Sequence, residues 1–228
     1  VLVLRPPTDS GCLADFEVWN ADGSRAEQCG NGVRCIGLYL VNNQEATGSF
    51  RINGPVAVID LEESEPGQFR VNMGQPGFAP EDIPINLPGE NGQYSMSVGG
   101  KEISLSAVSM GNPHAVIEVP DIMAAEVDRL GPEISRHVAF PEGCNAGFVE
   151  IVSRSSVRLR VFERGAGETQ ACGSGACAAV SALVNKDKLD KEVLVNQVGG
   201  ALIIEWSGEK EPVMMNGPAV HVFTGMLT

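Results

Sequence analysis

The sequence contains one internal repeat, and this repeat constrains the fold more than any other feature. The tetrapeptide Cys-Gly-Asn-Gly at residues 29–32 returns as Cys-Gly-Ser-Gly at residues 172–175, an offset of 143 residues. An apolar stretch of helical composition, with almost no charge, follows each copy at residues 33–41 and 176–184. Each half of the chain is therefore predicted to place a Cys-Gly-x-Gly loop before a helix that is buried nearly all round.

Strands are predicted for most of the remaining chain. Alternating apolar and polar residues precede both copies of the repeat, at residues 16–20 and 157–163, so that Asn20 corresponds to Glu163. Further strand-like runs lie at residues 56–61, 68–73, 102–108, 115–119, 146–152, 192–195 and 201–206. We predict an α+β fold of two pseudo-symmetric domains, each a mostly antiparallel sheet or barrel wrapped around a central helix.

The length of 228 residues accommodates two small domains. We expect the first domain to comprise residues 1–73 and 218–228 and the second to comprise residues 74–217. Two similar domains in one chain commonly bind a ligand in the cleft between them. The repeat would then bring one cysteine from each half, Cys29 and Cys172, to a shared site.

The charge balance excludes several classes of partner. There are 16 Lys and Arg residues against 29 Asp and Glu residues, a net charge of −13, which repels phosphate backbones and anionic membranes. No apolar run approaches the length of about 20 residues that spans a bilayer, and the first residues lack a signal-peptide pattern. We expect a cytoplasmic protein whose partner is a small molecule rather than a nucleic acid or a membrane.

The six cysteines do not form the pattern of a disulfide scaffold or a zinc site. They are sparse, they include no Cys-x-x-Cys pair, and only three histidines accompany them. No metal is therefore expected. Cys29 and Cys172 stand out because each opens a copy of the repeat. The four cysteines without such a context are expected to be packing residues or incidental: Cys12, Cys35, Cys144 and Cys177.

A cysteine at a helix start has a specific chemical use. A free thiol has a pKa near about 8.5, and the partial positive charge of a helix N-terminus favours both a thiolate and a bound carboxylate. Two such helices would hold a substrate carboxylate with its α-carbon between two sulfurs. One thiolate would remove the α-proton while the opposite thiol supplied another. This arrangement predicts inversion of an α-carbon without pyridoxal phosphate or another cofactor.

Two long blocks resemble the signatures of diaminopimelate epimerases. The first comprises Asn-Ala-Asp-Gly-Ser at residues 20–24 and Glu-Gln-Cys-Gly-Asn-Gly at residues 27–32, and the second spans residues 163–175. Shorter matches occur at Gly-Asn-Pro-His (111–114), at Phe-Pro-Glu (140–142) with Asn145, and at Gly-Pro-Ala-Val (217–220). The resemblance implies an isomerase that interconverts L,L- and meso-diaminopimelate in lysine and peptidoglycan precursor biosynthesis. It also implies the family's fold of two pseudo-symmetric domains.

The same resemblance implies roles for individual residues. Cys29 and Cys172 correspond to the base and acid pair, and His114 and Glu163 occupy positions that tune them. The backbone cradle for the reacting carboxylate corresponds to Gly30, Asn31, Gly173 and Ser174. The other substrate contacts correspond to Asn20, Asn112, Asn145, Glu163 and Arg164. Arg164 suits the distal carboxylate because a guanidinium can hold a carboxylate through two hydrogen bonds.

The chain departs from the family pattern in two places. The Gly-Asn-Asp-Phe segment expected near the N-terminus, with an asparagine and a glutamine that contact substrate, does not precede the apolar run at Val1, so we expect slow turnover. Phe223 stands where many relatives carry a tyrosine linked to dimer formation, and a homodimer is the expected assembly. Two alternatives are a proline or hydroxyproline racemase of the same fold and a non-catalytic redox or metal-binding module.

Overall fold

The structure is a computed structural model that describes residues 1–20, 23–25, 29–89 and 92–226. Within these ranges it contains three α-helices: α1 (Gly30–Asn42), α2 (Val127–Ser135) and α3 (Gly173–Asn185). The strands of the first part are β1 (Leu2–Arg5), β2 (Asp15–Val18), β3 (Ser49–Asn53), β4 (Val58–Glu65) and β5 (Gln68–Asn72). The later strands are β6 (Gln93–Val98), β7 (Lys101–Ser109), β8 (Pro113–Glu118), β9 (Asn145–Ser153), β10 (Ser156–Glu163), β11 (Gly167–Thr169), β12 (Glu192–Gln197), β13 (Gly200–Glu205) and β14 (Met214–Pro218).

These strands form one continuous, mostly antiparallel sheet. Their order is β1-β2-β3-β4-β5-β14-β13-β12-β10-β9-β8-β7-β6, and β11 pairs with β10. Parallel pairing occurs between β2 and β3, between β8 and β9, and between β10 and β12. The predicted α+β class is confirmed. Strand β14 lies between β5 and β13 and hydrogen-bonds to both, so it joins the early strands to the late ones. The predicted domain boundaries, one of which falls within β14, stay a prediction.

The two repeat helices differ in burial. Small residues let α3 pack closely on every side, and eleven of its thirteen residues are buried. Helix α1 is buried on one face only, because Cys35 and Tyr39, one turn apart, point outward and Tyr39 is 55% exposed. The expectation of burial all round is therefore confirmed for α3 and wrong for α1, and Cys35 is not a buried packing residue. None of the described helices is long and apolar enough to span a membrane.

Two hydrophobic cores lie beneath the sheet. The larger core surrounds both repeat helices and combines residues from the early and late strands, including Val33, Phe69, Val180 and Met215. The smaller core lies under α2 and includes Ile134 and Phe148. Helix α2 was not anticipated from the sequence. The shared core keeps α1 and α3 in contact, and the candidate site forms where these two helices begin.

Candidate active site

Cys29 and Cys172 occupy equivalent positions as the N-caps of α1 and α3. The Cys29 sulfur accepts a hydrogen bond from the Gly32 N–H at 3.3 Å, and the Cys172 sulfur accepts one from the Gly175 N–H at 3.4 Å. A cap side chain normally supplies oxygen to these N–H groups, and here sulfur takes its place. The repeat in the sequence therefore corresponds to a repeated local geometry.

The first N–H groups of each helix remain available to a ligand. In α1 the N–H groups of residues 32 and 33 bond to Cys29, and in α3 those of residues 175 and 176 bond to Cys172. The N–H groups of the two preceding residues in each helix have no acceptor within their helix. These residues are the predicted cradle: Gly30, Asn31, Gly173 and Ser174. Unpaired N–H groups at two helix starts in contact are suited to an anionic group such as a carboxylate.

The starts of the two helices are in direct contact. The Asn31 Nδ2 donates to the Ala171 carbonyl oxygen at 3.0 Å, which connects the two halves of the chain. A Cβ atom on Gly173 would lie 3.2 Å from the Asn31 Oδ1, and one on Gly30 would lie 2.8 Å from the Met215 Cε. A side chain at residue 173 would therefore press on the start of α1, and one at residue 30 would displace the end of the Met215 side chain. Asn31 therefore contributes a side-chain link between the halves in addition to its backbone.

Glu163 lies at the end of β10 beside Cys172. The Cys172 thiol donates to the Glu163 Oε2 at 3.2 Å, and the Thr169 hydroxyl donates to the Glu163 Oε1. The Ser174 hydroxyl lies 3.6 Å from the same sulfur. The Glu163 carboxylate also raises the pKa of Cys29, so its charge reaches both sulfurs. The structure thus places Glu163 next to Cys172, and its predicted catalytic role stays a prediction.

Burial dominates the electrostatics of the two thiols. It raises the pKa of Cys29, and the Gly32 N–H acts in the opposite direction. It raises the pKa of Cys172 well above the ordinary value, and the neighbouring Glu163 carboxylate adds to this effect. The N–H donors of the helix starts lower both pKa values as expected, but the loss of solvation outweighs them, so the net shift of each thiol pKa is upward.

His114 is a buried neutral imidazole. Burial, and secondarily the Arg164 charge, lowers its pKa to about 3. Its Nε2 lies 3.0 Å from the Asn112 Oδ1, and its Nδ1 is buried without a hydrogen-bond partner in the described part of the chain. With the Asn112 oxygen as acceptor, Nε2 carries the proton and Nδ1 keeps a lone pair. The structure links His114 to Asn112, and the predicted link to a cysteine stays a prediction.

Asn145 and Arg164 form a second cluster, joined through the Arg164 backbone. The Asn145 Oδ1 accepts from the Arg164 backbone N–H at 2.9 Å, and its Nδ2 donates to the Pro113 carbonyl oxygen at 3.3 Å. The Arg164 Nη1 donates to the Glu142 carbonyl oxygen at 2.7 Å. Arg164 lines a cleft of about 580 Å³. Asn145 thus fixes the backbone of Arg164, whose side chain faces a space large enough for a small molecule.

Asn20 lies at the end of the first signature block. Its Nδ2 donates to the Ser24 hydroxyl oxygen at 3.1 Å within a turn. Residues 21, 22, 27 and 28 of this block lie outside the described residues. The structure therefore pairs Asn20 with Ser24, and its predicted contact with substrate stays a prediction.

Two residues near Cys172 were not predicted to belong to the site. Thr169 holds the Glu163 carboxylate, and the Gln197 Oε1 accepts from the Cys172 backbone N–H at 2.8 Å. Thr169 lies inside the second signature block, so its position in that block was an available signal. Gln197 has no local signal because strand β12 brings it to Cys172 from 25 residues away.

Comparisons with known proteins agree with this geometry. The family model described as Diaminopimelate epimerase matches residues 4–79 and 106–222. A diaminopimelate epimerase from Pseudomonas fluorescens is 44% identical over 228 residues, which covers the whole chain and 83% of that protein. One from Xylella fastidiosa (strain M12) is 45% identical over 228 residues, with 99% of this chain and 80% of that protein covered.

Solved structures show the same fold at low identity. A hydroxyproline epimerase from Agrobacterium vitis with bound trans-4-hydroxy-L-proline has a TM-score of 0.72 at 14% identity, covering 96% of this chain and 72% of that one. A putative phenazine biosynthesis protein from Clostridium difficile (strain 630) has a TM-score of 0.63 at 12% identity, covering 100% and 83%. These two structural similarities establish the fold only. The match to the family model and the identity along the whole chain show that this chain belongs to the diaminopimelate epimerase family.

Proposed function

We propose that this chain is a cofactor-independent epimerase that interconverts L,L- and meso-diaminopimelate, an isomerase of lysine and peptidoglycan precursor biosynthesis. The observation that carries the proposal is the pair of cysteines that cap two helices in direct contact. Family membership supports the substrate and the reaction. The roles of individual residues are proposals that rest on the geometry of the site.

The helix starts bind the reacting carboxylate. The N–H groups of Gly30, Asn31, Gly173 and Ser174 donate to its oxygens, and the dipoles of both helices favour its charge. When the α-proton leaves, its electron pair moves onto the carboxylate, and these donors stabilise the added charge. Enzymatic rates require the barrier to fall by about 8 kcal/mol or more, and this electrostatic contribution supplies much of that amount.

The two sulfurs exchange protons with opposite faces of the α-carbon. In one direction the Cys29 thiolate takes the α-proton and becomes a thiol, and the Cys172 thiol supplies a proton to the other face and becomes a thiolate. The reverse reaction interchanges these roles, so the enzyme's charge is unchanged by turnover. Glu163 assists because its carboxylate accepts from the Cys172 thiol and holds the proton on that sulfur. His114 contributes a neutral imidazole whose Nδ1 can accept a hydrogen bond.

The distal end of the substrate binds on the Arg164 side. The Arg164 guanidinium holds the distal carboxylate in the cleft that it lines, and Asn145 keeps the Arg164 backbone in position. Asn20 and Asn112 contact the polar atoms of the substrate. A substrate with a second carboxylate matches this cation, whereas proline and hydroxyproline carry no such group. The shared fold of the hydroxyproline epimerase does not by itself favour the racemase alternative.

The assembly and location are finer parts of the proposal. We propose a homodimer in the cytoplasm, and the exposed apolar side chains of Val222, Phe223 and Met226, each at least 80% exposed, supply contact area for a second copy. Analytical ultracentrifugation of this chain and of its Phe223→Ser variant tests this assembly. A dimer that dissociates in the variant supports the proposal, and an unchanged monomer in both chains contradicts it.

The reaction itself is tested by incubation with L,L-diaminopimelate and chromatography of the stereoisomers. We expect the meso isomer to form, and we expect no inversion of L-proline or trans-4-hydroxy-L-proline under the same conditions. The matched control is Cys35→Ala, because Cys35 is an exposed cysteine on α1 that should leave the rate unchanged. Inversion of the proline substrates in place of diaminopimelate would favour the racemase alternative instead.

A further inference from the structure

The peptide group between Ala171 and Cys172 is held by a side chain on each of its two sides. The Asn31 Nδ2, at the start of α1, donates to the Ala171 carbonyl oxygen at 3.0 Å. The Cys172 N–H donates to the Gln197 Oε1, at the end of β12, at 2.8 Å. The C=O and N–H of a trans peptide point in opposite directions, so the two amide side chains hold this group from opposite sides. Rotation of the peptide would break both hydrogen bonds.

The turn between β12 and β13 is attached to the same segment. The Gly199 N–H donates to the Gln170 carbonyl oxygen at 2.7 Å, immediately before the held peptide. A Cβ atom on Gly199 would lie 3.2 Å from that oxygen and 3.4 Å from the Ala171 Cβ, so the turn lies directly against the chain that leads into α3. Gln197 therefore reaches Cys172 from an element whose own position beside this segment is fixed.

The hydrogen bond from Gln197 replaces one that α3 cannot make for itself. The N–H of an N-cap residue lacks a partner within its helix, and a glutamate or glutamine three residues later often accepts from it. In α3 the residue at that place is Gly175, which has no side chain. Gln197 supplies the acceptor from another strand instead. The backbone of Cys172 is thus restrained from outside its helix.

Stability alone does not account for the two amides. In the described part of the chain, the Gln197 Nε2 and the Asn31 Oδ1 are buried without a hydrogen-bond partner. An apolar side chain at residue 197 would remove the unpaired Nε2 but would leave the Cys172 N–H without this acceptor. One unpaired buried donor would be exchanged for another, and each is unfavourable. What the glutamine adds is a fixed orientation of the peptide before Cys172.

The orientation of this peptide bears on the position of the Cys172 sulfur. The held nitrogen is bonded to the Cys172 Cα, and α3 begins on the other side of that atom. From this fixed backbone the sulfur lies 3.2 Å from the Glu163 Oε2 and 3.4 Å from the Gly175 nitrogen. Proton transfer is sensitive to such placement, because a shift of about 1 Å in a reacting group can slow a reaction by about a hundredfold.

We infer that Gln197 is a positioning residue that directs the Cys172 sulfur toward the substrate α-carbon by holding the peptide before it. The inference rests on the proposed function. Asn31 completes the arrangement from the opposite side, and its backbone N–H belongs to the carboxylate cradle on α1. The cradle of one half is therefore tied to the thiol of the other, which keeps the bound carboxylate and the sulfur at a constant separation.

The kinetic test is Gln197→Met, which keeps the length of the side chain and removes the acceptor. We expect kcat for diaminopimelate to fall by about tenfold or more with little change in KM, because Gln197 supplies no atom to the carboxylate cradle or the Arg164 cleft. Gln93→Met is the matched control. Gln93 is a part-buried glutamine on β6 that bonds to Ser106, so both constants should stay at the parent values. A parent kcat in folded Gln197→Met would overturn the inference.

Isotope effects separate positioning of one thiol from general loosening of the fold. Diaminopimelate deuterated at the reacting α-carbon is converted in both directions by the parent and by Gln197→Met. If transfer at Cys172 alone is slowed, the isotope effect on kcat/KM should rise in the direction in which Cys172 removes the deuteron. It should fall in the other direction, where the slow step follows cleavage of that bond. Shifts of the same sign in both directions would make Gln197 a structural residue only.

Amide hydrogen exchange tests the arrangement in the intact chain, without any variant. The Cys172 N–H should be protected as strongly as the Ala176 N–H, which bonds to the Cys172 carbonyl oxygen at 3.0 Å within α3. Exchange at the rate of an unprotected amide would overturn the inference even if Gln197→Met does not fold. If the parent and Gln197→Met invert diaminopimelate equally well, the epimerase assignment stands and the role of Gln197 is wrong. Absence of inversion in the parent would instead contradict the proposed function.

Discussion

Replacement of Glu163 by glutamine isolates the effect of one charge on one thiol. Glu163 and Cys172 are 3.2 Å apart, and the substitution keeps the size of the side chain while it removes the carboxylate charge. Because this carboxylate raises the pKa of Cys172, we expect Glu163→Gln to lower that pKa. Cys172 should then lose its proton at lower pH and become a weaker base.

The size of this change follows from the separation of the two groups. Two unit charges 3.2 Å apart repel by about 5 kcal/mol at an effective dielectric constant of about 20. Charge delocalisation, relaxation and solvent reduce this repulsion, and its removal lowers the pKa of Cys172. Because Cys172 remains in place with a poorly matched pKa, we expect the rate to fall by less than the factor of about a hundred or more that is typical of losing a positioned acid–base group.

The assay combines thiolate absorbance in the Cys29→Ala background with the rate of epimerisation in the otherwise intact chain. The ratio of kcat/KM in the two directions is set by the equilibrium between the stereoisomers, so both directions must slow by the same factor. Glu168→Gln is the matched control, because this nearby carboxylate pairs with Arg160 at 2.7 Å rather than with a cysteine. A Cys172 midpoint that does not move in Glu163→Gln would refute the electrostatic role of this carboxylate.

Three further substitutions test the positioning of substrate, backbone and carboxylate. Arg164→Lys should weaken diaminopimelate binding by about tenfold or more, since lysine keeps the charge but loses the bidentate geometry. An unchanged affinity in isothermal calorimetry would contradict this. Gly173→Ala should lower the free energy of unfolding, measured with denaturant, by about 1–3 kcal/mol, because the new Cβ would lie 3.1 Å from the Met215 sulfur. Gly147→Ala is the control and should cost less, because its nearest atom would lie at 3.6 Å. Thr169→Val should slow epimerisation by removing the hydroxyl that holds Glu163, and Thr169→Ser should restore it; equal rates in both variants would exclude this role.

The features that could be predicted from the sequence are those encoded locally. The Cys-Gly-x-Gly repeat indicates two capped helices because the glycines leave no side chain between the helix starts, and the structure contains both caps. The correspondence of Asn20 with Glu163 likewise depends on the repeat alone. The alternating strands were also recognisable, since side-chain period is a property of the segment itself.

The features that could not be predicted depend on distant segments. The raised pKa values of Cys29 and Cys172 result from burial by strands and helices that are far apart in sequence, and no local motif reports that burial. The contact of Gln197 with Cys172 requires the position of β12 in the sheet. Cys35 was expected to be buried because its helix is apolar, but only one face of that helix is covered.

The central claim is that two bases act on opposite faces of one α-carbon. The measurement that tests it most directly is the distribution of deuterium at early times, when L,L-diaminopimelate is converted in deuterated water and product and remaining substrate are analysed by mass spectrometry. The account predicts one deuterium at the inverted carbon of the meso product and none in the recovered substrate, because the proton removed and the proton supplied are held by different sulfurs. Deuterium in the recovered substrate at the same rate as in the product, or inversion by Cys29→Ala at the parent rate, would contradict it.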